Sequence, residues 1–113
     1  MKVIDVYKQY FGAQCVYNDV ERKGALVTLT ATSDSGNIKY EVGLTFFPYR
    51  DPEDFAISYD AYRSKEIFSA KGRRSKKREE AFLKDLKEYA DALAKEMEGT
   101  IFWDKPLRDA VRG

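Results

Sequence analysis

Apolar and polar positions along this chain follow two periods, one near 3.6 residues at its ends and one of 2 in its middle. Over residues 75–99, apolar side chains fall at Phe82, Leu86, Tyr89, Ala90, Leu93 and Met97. Spacings of three and four place them on one stripe and predict a long amphipathic helix. The other face carries charge pairs four residues apart, among them Glu80 with Lys84 and Lys87 with Asp91. Such pairs contribute roughly 0.2–0.5 kcal/mol each. Ser75 is placed as the N-cap and Gly99 as the residue that closes the helix. Residues 2–11 repeat the helical spacing at Val3, Ile4, Tyr7, Tyr10 and Phe11, and predict a short N-terminal helix ended by Gly12.

Between these ends the chain alternates. Residues 14–21 read as a first strand weakened by Asn18-Asp19, and Lys23-Gly24 suits a tight turn. Val27, Leu29 and Ala31 then alternate with Thr28, Thr30 and Thr32. Ile38, Tyr40, Val42, Leu44 and Phe46 alternate with Lys39, Glu41, Gly43 and Thr45. The turn residues 33–37 join these runs into a predicted hairpin. Pro48 and Pro52 make residues 48–54 a loop. Phe55, Ile57 and Tyr59 open another strand through residue 62, which residues 63–70 extend or end. Residues 100–103 read as a short strand or a segment packed over the core, and Pro106 opens a last helical turn.

The pattern predicts one α+β domain over residues 1–113. Its two layers are an antiparallel sheet of three to five strands and a covering pair of helices, one short and N-terminal, one long and C-terminal. The order is α-β-β-β-β-α with a short tail. Alternation on the strands leaves the other sheet face in solvent.

Charge adds the first functional signal. The chain carries a net charge of +1, but six of the eight residues 71–78 are basic and none is acidic. The remaining residues sum to a net −5. The helix start bears Lys76, Lys77 and Arg78, each of which costs about 0.3–1 kcal/mol against the helix dipole. A broken local rule marks a place to look for function. Lys71, Arg73, Arg74, Lys76, Lys77 and Arg78 are therefore the candidate contacts to a nucleic acid backbone or another anion. Tyr59, Tyr62 and Phe68 lie near enough in sequence to offer rings for base stacking.

Set in the expected helix-strand-helix order, the tripeptide Ser75-Lys76-Lys77 at the start of the last helix is similar to the double-stranded-RNA-binding domain. The resemblance covers a topology and a tripeptide, and here Arg78-Glu79-Glu80 follows where that family has small residues. It implies phosphate contacts from Lys76 and Lys77.

Catalytic chemistry finds few carriers. The chain has no histidine and one cysteine, Cys15, which leaves no internal disulfide and no cysteine-based zinc site. No phosphate-binding glycine loop occurs. Asp51, Glu53 and Asp54 lack calcium-loop spacing and read as turn residues, and Glu21-Arg22-Lys23 lacks an upstream acid for nuclease chemistry. The expectation is a small non-enzymatic binding protein without metal or cofactor. The alternative is a protein-binding regulator or inhibitor, of the immunity or phage and mobile-element type. Tyr49, Phe55, Phe102 and Trp103 are its candidate interface. Either a monomer or a homodimer through the open sheet face fits. With no signal-peptide pattern and no apolar run near the ~18 residues of a membrane span, the expected location is the cytoplasm.

Overall fold

The computed structural model describes residues 3–53 and 55–103. Its elements are β1 (Val3–Tyr17), β2 (Val20–Thr32), β3 (Ile38–Arg50), β4 (Ile57–Ala70), α1 (Lys76–Glu96) and β5 (Gly99–Phe102). The strands form one sheet in the order β1-β2-β3-β4-β5. The first four are antiparallel neighbours, and β5 lies parallel to β4, so the sheet is mixed. A register shift between Phe11 and Gln14 divides β1 in two, which gives six strand segments ordered β-β-β-β-β-α-β.

There is no N-terminal helix. Residues 2–11 were expected to be helical from five apolar positions, but Val3 through Phe11 pair one by one with Thr32 back to Gly24. The segment is rich in β-branched and aromatic residues, which suit a pleated surface. A helix this short is marginal because its first turn is costly to nucleate, whereas β2 offers the segment a full ladder. The loss of this helix also removes the topology on which the likeness to the double-stranded-RNA-binding domain rested. Asn18 and Asp19, both with positive φ (51° and 64°), make the two-residue turn between β1 and β2. The turn expected at Lys23-Gly24 is instead the interior of β2.

The β2–β3 hairpin follows the alternation, pairing Thr32 with Lys39 and Ala25 with Phe46. Its turn is fixed by Gly36 at φ 74° and by the Ser33 hydroxyl, which accepts the Ile38 N–H at 3.0 Å. β3 runs through Pro48 to Arg50, into the expected loop. Pro48 is tolerated because β2 pairs with β3 only as far as Phe46, so the missing N–H interrupts no ladder there. β4 absorbs residues 63–70, with one extra residue, Ser64, opposite the Gly43–Leu44 step.

Helix α1 covers one sheet face. Phe82, Leu83, Leu86, Ala90 and Ala94 are buried against Ala25, Val27, Leu29, Tyr40, Val42, Leu44 and Phe46. Tyr89, expected on the buried stripe, is 41% exposed, and Leu83 takes a place in the core. Ser75 is the N-cap and accepts the Arg78 N–H. The helix closes one residue earlier than expected: Glu98 adopts φ 60°, and Gly99 begins β5. Gly99 is needed for close packing, since a Cβ there would lie 3.0 Å from the Tyr59 Cβ. Asp54 and the helical turn expected after Pro106 lie outside the described residues. No helix among the described residues is long and apolar enough to cross a membrane.

Candidate functional site

The basic segment links β4 to α1 at the end of the sheet where Ile38 pairs with Ala70. It is held there at both ends. The Lys71 N–H donates to the Asn37 carbonyl at 2.7 Å, and Gly72 turns the chain with φ 77°. The Ser75 cap then starts the helix. Every residue from 71 to 78 is exposed, so the fold keeps the whole run in water.

Arg74 has a structural partner. Arg74 Nε donates to Glu79 Oε1 at 2.9 Å and Nη2 reaches Oε2 at 3.4 Å, while its guanidinium stands 5.8 Å from the centre of the Phe68 ring. Glu79 is buried, at 2% exposure. A buried carboxylate requires such a partner. Arg74 therefore anchors the segment, and Lys71, Arg73, Lys76, Lys77 and Arg78 are exposed candidates. Of the rings considered for stacking near this run, Tyr59 is buried and Phe68 half-buried under Arg74. Only Tyr62 is largely exposed, and it lies eight residues back along β4.

Sequence reading missed a second surface. On the sheet face opposite α1, four rings form a row across the strands. Phe11 meets Phe47 edge-on at 6.0 Å, Phe47 meets Tyr62 at 6.2 Å, and Tyr62 stacks on Phe102 at 5.5 Å and 22°. Phe47, Tyr62 and Phe102 are 44%, 47% and 48% exposed. Gly24 makes the room for Phe11, because a Cβ there would fall 2.3 Å from the ring. The row was hidden because Phe11 had been placed on a helix and Phe47 beside a loop. A strand reading of residues 3–11 would have shown Tyr7 and Phe11 on one face.

The four residues expected at a protein interface are split by the fold. Phe102 ends the ring row, and Tyr49 shares its face two residues beyond Phe47, 38% exposed. Phe55 projects from the β3–β4 loop at φ 54°, beside a cleft formed with Tyr17, Val20, Arg22 and Glu98. Trp103 faces the helix instead. Its Nε1 donates to Asp91 at 3.0 Å, and Lys87 stands over its ring.

The acids of the β3–β4 loop act on the backbone: Asp51 Oδ1 accepts the Glu53 N–H at 2.8 Å. Glu21 is exposed, and neighbouring Arg22 pairs with Glu98 at 3.4 Å. Among the described residues no group of three or more histidine, cysteine, aspartate or glutamate side chains converges as a metal site. A polar cluster does lie under the helix, where Arg63 and Glu66 pair at 3.0 Å beside Tyr40. Burial, reinforced by the Glu66 carboxylate, pushes the Tyr40 phenol well above its ordinary value. Tyr59 is also raised by burial, and its hydroxyl donates to the Lys23 carbonyl at 2.9 Å.

No protein-family model matches the chain, and no curated protein or solved structure matches it either.

Proposed function

We propose that this is a non-enzymatic binding protein that engages a nucleic acid backbone through the basic segment 71–78. The observation that supports the reading most is the exposure of the whole run at one end of a molecule 54 Å long, held in place by the Ser75 cap and the Arg74–Glu79 pair. Lys71, Arg73, Lys76, Lys77 and Arg78 would neutralise phosphates, and the released counterions would drive association. Contacts of this kind position a nucleic acid without reading its sequence.

The experiment is charge reversal of Lys76, Lys77 and Arg78 to glutamate. Acids at a helix start are favoured by the dipole, so the variant is expected to fold at least as stably as the native chain. Loss of binding to labelled nucleic acid in a folded variant is the expected result. Undiminished binding overturns the reading.

The ring row favours a second reading, in which a protein partner covers the open sheet face. Exposed, clustered aromatics anchor interfaces well. Phe47→Ser and Phe102→Ser would then abolish capture of a partner that the native chain retains, with the basic segment left intact. A partner held equally by native and variant chains contradicts it.

A further inference from the structure

We infer that β1 is a self-pairing edge and that two copies of this chain join through it into one continuous sheet. Strand order leaves the outer side of β1 without a neighbour among the described residues. An edge of this kind presents a row of backbone donors and acceptors. The helix does not reach over it: Asp5 through Tyr10 are all exposed, including Val6 at 37%, Tyr7 at 64% and Tyr10 at 59%. The opposite edge is made by β5, four residues long, and by residues 63–70 of β4, which carry a bulge at Ser64 and the charges Arg63, Lys65 and Glu66. The regular part of β1, from Val3 to Phe11, contains no proline, no glycine and only Asp5 and Lys8 as charges.

The occupant follows from register. The regular ladder ends where the pairing shifts after Phe11, so the segment available to a partner is centred on Tyr7. Two copies related by a two-fold axis normal to the sheet overlap completely when Tyr7 meets Tyr7. Val6 then meets Lys8, Asp5 meets Gln9, and Ile4 meets Tyr10. Every pair shares a face of the sheet, which continuity demands because a slip of one residue reverses every side chain. No like charges meet. On the helix side, Val6 and Tyr10 of both copies, exposed in the single chain, are brought together with Lys8 between them, beside Ile4, which packs against the core. The two basic segments, beyond the Val3 end of each β1, come to lie at opposite ends of the joined sheet.

The test is register-specific crosslinking of the full chain carrying Cys15→Ser. Facing residues of an antiparallel pair stand about 4.5–5.5 Å apart between Cα atoms, within disulfide reach. Tyr7→Cys is expected to oxidise to a covalent dimer. Gln9→Cys, whose counterpart in the second copy lies about four residues along the strand, is expected to stay monomeric. The native chain is expected to sediment at twice the chain mass, and Tyr7→Lys, which sets two lysines on the axis, at the chain mass with unchanged circular dichroism. A native chain that sediments as a monomer, or equal crosslinking at both positions, overturns the proposal.

Discussion

Arg74 and Glu79 meet through two contacts, at 2.9 and 3.4 Å, with the carboxylate 3% and the guanidinium 47% exposed. The pair ties the loop after β4 to the first turn of α1 and removes one cation from the outward set. Arg74→Ala leaves a buried carboxylate without this partner, and a loss of about 1–3 kcal/mol is expected by denaturant unfolding. Glu79→Gln keeps the shape and loses less. Binding of nucleic acid by Arg74→Ala, measured where the chain is folded, should weaken far less than in the Lys76, Lys77 and Arg78 reversal. Equal losses in the two variants would make Arg74 a direct contact.

That reversal should also raise the melting temperature. Three cations leave the positive end of the dipole and three acids replace them, at about 0.3–1 kcal/mol for each favourable charge. A calorimetric scan checks it, and a lower melting temperature would show that the three side chains serve the fold.

Gly24→Ala should destabilise the chain by about 1–3 kcal/mol, because the new methyl meets the Phe11 ring and the sheet must shift or expel it. Combining it with Phe11→Ala removes the clash. The double variant should therefore lose less than the two single losses added together, in a double-mutant cycle read by urea unfolding. Strict additivity would mean that ring and glycine are not coupled.

Tyr40 gives a pH dependence. Its phenol is raised above the ordinary 10.0 by burial first and by Glu66 second. Below about pH 10 the group is neutral folded or unfolded and makes no difference. Above it the unfolded chain ionises first, so stability falls as pH rises toward the folded value. Tyr40→Phe should flatten the alkaline side of the stability profile relative to the native chain. Its effect at neutral pH should stay at about 1 kcal/mol, the scale of a single neutral hydroxyl's interactions. An unchanged alkaline slope would clear Tyr40 of this role.

Alternation over residues 26–46 was legible because one face of β2 and β3 is wholly buried and the other is solvated, so period 2 survives in the residue types. The Ser75 cap was legible for a local reason, since a hydroxyl before a helical run serves the first orphan N–H groups. Residues 3–11 were not legible. Val3, Ile4, Tyr7, Tyr10 and Phe11 satisfy helical spacing by coincidence, and an edge strand exposed on both faces keeps no clean alternation. The parallel pairing of Tyr59–Tyr62 with Gly99–Phe102 was hidden because it depends on where α1 returns the chain. Of the candidate site, the basic run was legible as composition, while the Arg74–Glu79 pair and the ring row required tertiary contacts between distant residues.

Contact between segment 71–78 and phosphates is tested by the affinity for labelled single- and double-stranded nucleic acid over a series of salt concentrations. With five outward cations engaged, the logarithm of affinity should fall linearly with the logarithm of salt, at a slope of about −3.5 to −4.5. Reversal of Lys76, Lys77 and Arg78 should remove about two to three units of that slope or abolish binding. Absence of binding at low salt, or a slope that the reversal leaves unchanged, would show that the segment does not meet phosphates.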